Sequence, residues 1–242
     1  MTLVNGAPLV AGAMNFRDTG GLAAGSGFTR RSILFRSGNL ARLEPAGTRA
    51  LGEMGLRRII DLRSDAEVTH EPSRIEGLSL TTQRVPLFLG SVASMFANDI
   101  SLDEMYQLLL DDSALGVVAA VRGIISDQPV LVHCTVGKDR TGVVVALALA
   151  AAGVDIEAVV SDYARTESLL PAQRNEYVVA QLRQRHPEAR YIEDLATRSP
   201  APVMSALLSR LSETHGSAGD YLRAHGIADD ELLELRRVLI EP

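Results

Sequence analysis

A strand–loop–helix segment near the middle of the chain constrains the fold more than any other part of the sequence. Val130–Val132 is an uninterrupted apolar run after Pro129, which is typical of a central strand in a parallel sheet. A short loop follows, and an apolar helix is predicted over Arg140–Ala152, ended by Gly153. A buried strand that leads into a buried helix predicts an α/β fold, because both elements need apolar neighbours on more than one side.

The rest of the chain fits the same class. Before the central segment, the sequence predicts an irregular hairpin over Phe28–Phe35, a helix over Ala46–Met54, and strands over Leu56–Leu62 and Thr82–Leu87. Later helices are predicted from a cap at Ser101 through Leu110, over Ala114–Ile125, and after a cap at Asp155. We therefore expect one domain over residues 1–242. It should have a mostly parallel central sheet flanked by helices, a candidate lid over residues 90–112, and a helical C-terminal part over residues 155–242.

Composition excludes several classes of function. The 242 residues carry a formal net charge of −6, which argues against a general nucleic-acid-binding protein, since such proteins need a basic face. The lone Cys134 excludes an intramolecular disulfide, a thiolate zinc cluster and a CxxC redox pair. The longest apolar run, Val143–Ala152, is about half of the ~20 residues that a membrane span needs. No basic residue precedes the apolar stretch at the start of the chain, so a signal peptide is not expected there. We expect a cytoplasmic protein with no integral membrane association.

Residues 133–142, His-Cys-Thr-Val-Gly-Lys-Asp-Arg-Thr-Gly, carry the predicted chemistry. The loop brings successive backbone N–H groups towards one point, and the helix N-terminus adds a partial positive charge. Arg140 can fold back and bind two oxygens of the same anion. In that field the Cys134 thiol is expected to lose its proton and to face a bound phosphate as a nucleophile. A buried cysteine beside an ordinary turn is the alternative, but these residue types at this spacing favour phosphate chemistry.

This segment resembles the P-loop of cysteine-dependent phosphatases. The string Gly137–Gly142 is similar to the atypical bacterial tyrosine/serine phosphatase family. Further similar stretches are Asn15-Phe16-Arg17-Asp18, Leu34-Phe35-Arg36-Ser37, Asp61-Leu62-Arg63-Ser64, Asp162-Tyr163 and Gly219-Asp220-Tyr221-Leu222-Arg223. The resemblance spans nearly the whole chain and is weakest over the candidate lid. It implies the phosphatase fold and hydrolysis of a phosphate monoester through a cysteinyl-phosphate, with no metal or other cofactor.

The resemblance also implies roles for individual residues. Cys134 would be the nucleophile and Arg140 the phosphate clamp. The backbone amides of the loop would form the phosphate cradle, contributed by Thr135, Val136, Gly137, Lys138, Asp139 and Arg140. Lys138 resembles the loop lysine of phosphatases that accept phosphoinositides as well as phosphoproteins, and we expect its charge at the pocket mouth.

Two supporting residues in the P-loop have competing interpretations. Thr141 would offer its hydroxyl to the thiolate, or it is simply a hydroxyl in the first turn of the helix. His133 is expected to hold the loop through hydrogen bonds as a buried imidazole rather than to carry protons. Since no second histidine lies near it in the sequence, a metal site is not expected.

The identity of the general acid is a departure from better-known relatives, which carry an acidic residue on a separate mobile loop. The corresponding loop, Val85–Gly90, contains no aspartate. Asp139 is the next candidate for protonating the leaving oxygen, and its alternative role is a structural carboxylate that binds loop amides or an arginine. Asp61 ends a strand next to the predicted pocket, and we expect it to brace the P-loop as an ion pair with Arg63.

We therefore expect a phosphatase whose substrate is a phosphorylated protein, most directly phosphotyrosine and then phosphoserine or phosphothreonine. Phosphoinositide hydrolysis is the nearest alternative, which Lys138 leaves open. A phosphate-binding module without turnover is a second alternative. Sulfur transfer on a rhodanese-like loop is a third, although most such loops are one residue shorter and lack the Lys-Asp-Arg-Thr string.

Overall fold

The structure is a computed structural model that describes residues 3–4, 7–8, 10–87 and 92–241, and these ranges contain three β-sheets. Their strands are β1 (Leu3–Val4), β2 (Ala7–Pro8), β3 (Arg17–Asp18), β4 (Ala23–Ala24), β5 (Gly27–Thr29), β6 (Leu34–Ser37), β7 (Arg58–Asp61), β8 (Thr81–Arg84), β9 (Val130–His133) and β10 (Ile240–Glu241). The central sheet has five strands in the order β3-β6-β9-β7-β8.

Strand β9 lies at the centre of this sheet, as its apolar sequence predicts. It is parallel to β6 on one side, with Leu131 opposite Phe35, and to β7 on the other, with Leu131 opposite Ile59. Strand β8 extends the parallel arrangement beyond β7, and only the edge strand β3 runs antiparallel. The expected mostly parallel α/β sheet is confirmed.

Thirteen helices lie within the described ranges. They are α1 (Pro45–Glu53), α2 (Asp65–His70), α3 (Val92–Ala97), α4 (Leu102–Asp112), α5 (Ala114–Ser126), α6 (Asp139–Ala152), α7 (Ile156–Ala164), α8 (Thr166–Leu169), α9 (Ala172–Arg185), α10 (Ile192–Ala196), α11 (Ala201–His215), α12 (Ala218–Ala224) and α13 (Asp229–Leu239). None of the helices in this part of the chain is long and apolar enough to cross a membrane.

The two faces of the central sheet bury two separate apolar cores. Side chains alternate between the faces of a strand, so Ile59 and Leu131 belong to a smaller core that includes Leu51 of α1. Ile60 and Val132 belong to the larger core on the opposite face, which is formed with α4 to α7 and α11 to α13. Helix α6 contributes most of its residues to this larger core, which explains why its sequence is apolar on every side.

Three local predictions differ from the structure. The hairpin is formed by β4 and β5, and the chain then enters the central sheet as β6 rather than completing the hairpin at Phe35. Asp155 precedes α7 but does not cap it; its Oδ1 accepts a hydrogen bond from the Gly25 amide 2.9 Å away, because the hairpin competes for the carboxylate. The C-terminal part is helical except for β10, which returns to pair with β5.

The candidate lid falls partly on described residues. Residues 88–91 lie outside them. Helix α4 begins at a capping box in which Ser101 and Glu104 exchange hydrogen bonds, as predicted for Ser101. Met105, Tyr106 and Leu109 on this helix are buried in the larger core.

Candidate active site

The P-loop connects the end of the central strand β9 to the N-terminus of α6. Cys134 is only 3% exposed, and its Sγ accepts a hydrogen bond from the Gly137 amide at 3.2 Å. Gly137 has a φ of +74°, and a Cβ at this position would lie 2.3 Å from the backbone carbon and oxygen of Ser37. Only glycine therefore allows the loop to turn back towards the sulfur at this point.

Backbone carbonyls of the loop are anchored on its outer side. The Thr135 carbonyl accepts a hydrogen bond from the Asn39 amide at 3.0 Å, and the Gly137 carbonyl accepts from Asn15 Nδ2 at 2.8 Å and Arg36 Nη2 at 3.0 Å. The N–H and C=O of a trans peptide unit point in opposite directions. Fixing these two carbonyls outside therefore turns the N–H groups of the next residues, Val136 and Lys138, to the inner side of the loop.

A buried group of charged side chains holds Arg36 behind the P-loop. Asp162 on α7 accepts hydrogen bonds from Arg36 Nη1 and from Arg17 Nε, both at 2.8 Å, and all three side chains are almost fully buried. Burial alone would raise the pKa of Asp162, but the two guanidinium groups lower it to about 2. Burial lowers the pKa of Arg17 to about 10, so this arginine remains charged at neutral pH. The group is an ion-paired brace that reaches the Gly137 carbonyl through Arg36.

Arg140 forms a two-pronged ion pair with a carboxylate that the sequence analysis did not single out. Its Nη1 and Nη2 donate to the two carboxylate oxygens of Glu67, each at 2.7 Å. Thr135 Oγ1 donates to the same carboxylate. Burial would raise the pKa of Glu67, but the hydrogen bonds and charge of Arg140 hold it well below its ordinary value. Glu67 thus fixes the plane of the Arg140 guanidinium beside the loop.

Two side chains contact the same carboxylate oxygen of Asp139. Its Oδ1 accepts a hydrogen bond from Tyr106 Oη at 2.9 Å and is 2.8 Å from Lys138 Nζ. The hydroxyls of Tyr106 and Tyr163 are 2.7 Å apart, and their rings meet edge to face. Burial raises the pKa of Tyr106 well above its ordinary value, so its hydroxyl remains a donor. Since that hydroxyl has a single proton, which goes to Asp139, Tyr163 donates to Tyr106.

The expected position of the Lys138 charge at the mouth of a pocket is wrong. The Lys138 side chain is 1% exposed, and its Nζ donates to the carbonyls of Asp194 at 3.1 Å and Arg198 at 2.9 Å besides approaching Asp139. A buried ammonium needs such partners, and the segment around α10 provides them. In this arrangement Lys138 joins the P-loop to the C-terminal helices.

The strand ends beside the P-loop carry the predicted Asp61–Arg63 pair. Arg63 Nε and Nη2 donate to the two oxygens of Asp61 at 2.9 and 2.8 Å, and these contacts lower the pKa of the carboxylate despite its burial. Asp61 Oδ2 lies 3.7 Å from His133 Nε2, and the amide of Leu62 donates to the His133 carbonyl at 2.9 Å. Burial lowers the pKa of His133 to about 4, so its imidazole is neutral. Its Nδ1 is 3.4 Å from the Cys134 carbonyl, but its Nε2 makes no hydrogen bond to any described residue, so only one weak contact to the loop is formed.

Thr141 is fully buried, and its hydroxyl makes no hydrogen bond to any described residue. The expected bond from Thr141 to the thiolate is therefore not formed here. Among the residues that the structure describes, no group of three histidine, cysteine, aspartate or glutamate side chains is placed to hold a metal ion.

The sequence matches a known protein family over nearly the whole chain. Residues 8–241 match the pattern of the "Tyrosine phosphatase family". The chain belongs to this family. As a tyrosine phosphatase family member with a cysteine P-loop, it is a phosphoric monoester hydrolase.

Relatives match over most of the chain. The triple specificity protein phosphatase PtpB of Mycobacterium tuberculosis is 29% identical, over 95% of this chain and 97% of its own length. A tyrosine-protein phosphatase of Nostoc commune is 30% identical, over 83% of this chain and 72% of its own length. A crystal structure of Pseudomonas aeruginosa TpbA matches 90% of this chain and 95% of its own at 15% identity, with a TM-score of 0.38.

The sequence analysis did not single out Glu67 or Tyr106 at this tyrosine phosphatase site. Of the two, only Glu67 lies in a local sequence pattern that could have indicated its position. Ser64-x-x-Glu67 is a capping-box pattern directly after the strand that ends at Asp61, and the structure forms it: the Ser64 amide donates to Glu67 Oε2 at 2.8 Å. That pattern places Glu67 one helical turn from the edge of the sheet where the P-loop lies. Tyr106 has no such signal, because α4 is distant in sequence and its contact with Asp139 depends on tertiary packing.

Proposed function

We propose that the chain hydrolyses phosphotyrosine in proteins through a cysteinyl-phosphate formed on Cys134. The observation that carries the proposal is the P-loop itself: the Gly137 amide meets the sulfur, while the Thr135 and Gly137 carbonyls are held outside by other parts of the fold. This arrangement supports an inward set of N–H donors around a phosphoryl group, with the N-terminus of α6 behind it.

In the first step the Cys134 thiolate attacks phosphorus, a P–S bond forms, and the P–O bond to the leaving oxygen breaks. The Gly137 N–H and the helix N-terminus stabilise negative charge on the sulfur before attack. Arg140 and the loop amides bind the equatorial oxygens, which carry the charge in the transition state. Glu67 positions Arg140 for this task, since a fork already held in one plane loses less freedom on binding the phosphoryl group.

Asp139 gives its proton to the leaving oxygen in the same step. A neutral carboxylic acid has one oxygen that accepts hydrogen bonds and one that carries the proton. Because Tyr106 and Lys138 both contact Oδ1, that oxygen is the acceptor and the proton is carried by Oδ2. Tyr106 and Lys138 are thus positioning residues that determine which carboxyl oxygen delivers the proton.

In the second step water attacks phosphorus, the P–S bond breaks, and the thiolate is regenerated. Asp139 now accepts the proton of the attacking water, which returns it to the acid form. His133 remains neutral throughout and supports the loop with Asp61 and Arg63.

Phosphotyrosine is the primary substrate that we propose for this enzyme, and phosphoserine and phosphothreonine are the further proposed protein substrates. Phosphoinositide hydrolysis is less well supported, because the Lys138 charge that would favour it is already bound by three oxygens. We also propose a cytoplasmic location, since a thiolate nucleophile stays reduced in that compartment.

A substrate panel with a matched variant tests the proposal. Wild-type protein and Cys134→Ser are assayed on phosphotyrosine and phosphoserine peptides and on phosphatidylinositol phosphates. We expect turnover of phosphotyrosine peptides by wild type, and a loss of at least a thousandfold in Cys134→Ser, which should still bind the peptides. Residual turnover in Cys134→Ser above a tenth of wild type would rule out the cysteine mechanism. Faster turnover of the lipids than of the peptides would show that the substrate is a phosphoinositide rather than a phosphoprotein.

The role of Asp139 is tested with aryl phosphates of graded leaving-group pKa. Asp139→Asn should slow esters with poor leaving groups far more than those with good ones, because a good leaving group departs without a proton. An equal loss for all esters would identify Asp139 as structural.

A further inference from the structure

A cavity of about 650 Å³ lies beside the P-loop and extends beyond the residues assigned above to phosphoryl transfer. Thr135 and Val136, the two residues after the nucleophile, form part of its wall, and Pro171, Arg174 and Tyr177 at the start of α9 form another part. The wall is mostly apolar. A substrate bound in the P-loop therefore has an apolar recess next to its phosphate, large enough for one or two amino-acid side chains.

Arg174 is the unusual residue of this wall. It is half-buried, and its Nη1 donates to the Asn175 side chain at 2.9 Å and the Ala196 carbonyl at 3.3 Å. No described carboxylate lies within 4.0 Å of its guanidinium, and its Nε and Nη2 donate to no described residue. Burial lowers the pKa of Arg174, and the more distant charge of Asp139 opposes this only in part.

The fully buried arginines of the described ranges each contact a carboxylate: Arg17 and Arg36 contact Asp162, and Arg63 contacts Asp61. The half-buried Arg58 contacts no described carboxylate, but it donates to Gln83 and does not line this cavity. A half-buried guanidinium without such a partner, beside the catalytic loop, is suited to an anionic group that arrives with the substrate.

The number of cationic side chains in the cavity wall without a carboxylate partner indicates which class of substrate the cavity fits. A multiply phosphorylated inositol headgroup needs several uncompensated cations. Arg42, the other arginine of the described cavity wall, is already 3.7 Å from Glu71, and Lys138 is buried among oxygen partners. Among the described residues of the wall, Arg42 pairs with Glu71, and Arg174 has no carboxylate within 4.0 Å. A mostly apolar recess with one such guanidinium matches a peptide that carries one acidic side chain among apolar neighbours.

We propose that this cavity is a subsite for the residues that flank phosphotyrosine, and that Arg174 binds an acidic side chain of the substrate peptide. The proposal rests on the function proposed above and adds a sequence preference to it. Arg174 would be a specificity residue: it contacts the peptide and takes no part in the chemical steps.

Paired phosphotyrosine peptides test the subsite. In each pair one position from three residues before to three residues after the phosphotyrosine is either Glu or Gln, and kcat/KM is measured for wild type and for Arg174→Gln. At one or two positions wild type should prefer Glu about fivefold, as expected for a charge-assisted hydrogen bond in a half-buried site. This preference should fall below twofold in Arg174→Gln and should weaken in wild type as salt is added. Working with the Glu-to-Gln ratio cancels any general effect of the substitution on folding or on the P-loop.

Arg183→Gln is the matched control. Arg183 lies on the same helix, is exposed, and pairs with Glu193. This variant should keep the full preference for Glu. A second measurement without turnover, the affinity of Cys134→Ser for the same peptide pairs, should give the same ratios.

Two outcomes would overturn the subsite. One is turnover of phosphotyrosine peptides with no Glu preference at any position in wild type, and the other is a preference that survives in Arg174→Gln. An Arg174-dependent gain for a phosphatidylinositol bisphosphate over the monophosphate, without any preference among peptides, would assign the cavity to a lipid headgroup instead. Failure of the proposed function looks different: no variant and no peptide would then be turned over.

Discussion

Replacing Asp162 by asparagine tests the brace behind the P-loop. The substitution keeps the shape of the side chain and removes the only carboxylate that contacts both Arg17 and Arg36 among the described residues. Two buried guanidinium groups would then face a neutral amide. Removing one partner of a buried ion pair costs about 3–5 kcal/mol. For a chain of this length each kcal/mol lowers Tm by about 2–4 °C, so we expect a decrease of about 10 °C.

The pH dependence gives a second, independent estimate. The difference between the ordinary pKa of 3.8 and the value of about 2 in the folded protein corresponds to about 2 kcal/mol of stability. Because the folded-state pKa of Asp162 is the lower one, this stability is fully present above about pH 5 and is lost as the pH falls through 4 towards 2. The difference in unfolding free energy between wild type and Asp162→Asn should therefore narrow by about 1 kcal/mol between pH 7 and pH 3.

Urea unfolding at both pH values, together with Tm at pH 7, measures these effects. Glu234→Gln is the control, because Glu234 makes an exposed ion pair with Arg237 on α13. Its Tm should stay within about 1 °C of wild type. Below its Tm, Asp162→Asn should also lose about tenfold in kcat/KM, since Arg36 no longer holds the Gly137 carbonyl firmly. A Tm within about 2 °C of wild type, or a difference that does not depend on pH, would refute the brace.

Three further predictions concern the residues around the loop. Glu67→Gln should lower kcat/KM by about tenfold with little change in Tm, because Arg140 loses the charge that fixes its plane; unchanged kinetics would show that Arg140 needs no such support. Tyr106→Phe should slow esters with poor leaving groups more than good ones, whereas a purely structural Tyr106 would lower all rates alike. Lys138→Met should lower Tm by several degrees, and a loss confined to lipid substrates would contradict the buried position of its ammonium.

The fold was predictable where the sequence pattern depends on local physics. Strand β9 and helix α6 are apolar on all sides because they are buried on all sides, and Gly153 ends the helix with a φ of +91°. The predicted side-chain cap at Asp155 is not formed, because the carboxylate accepts a hydrogen bond from the distant Gly25 amide instead of the local helix amides. The pairing of β10 with β5 joins Ile240 to Thr29, which are far apart in the sequence, and no local pattern encodes such a contact.

The P-loop was predictable from its own residues, but its support was not. The stretches that contain Asn15, Arg36 and Asp162 resemble those of a known family, but the resemblance alone assigns no role to the individual side chains. Sequence spacing carries no information about their meeting point, since Asn15 and Gly137 are 122 positions apart. Lys138 shows the converse error: a lysine in a phosphate loop suggests a substrate contact, yet the nearest oxygens belong to the C-terminal segment around α10.

These contacts explain why the proposed anion cradle, which is made of backbone, needs charged residues from distant parts of the chain. Successive N–H groups converge only if the carbonyls of the same peptide units point away, and each such carbonyl is then buried against the fold and needs a donor. Asn15 and Arg36 are the donors for Gly137, and Asp162 keeps Arg36 in place. The loop therefore depends on the side chains behind it as much as on its own sequence. A variant that leaves residues 133–142 intact and removes only the Asp162 charge should still lose much of the activity.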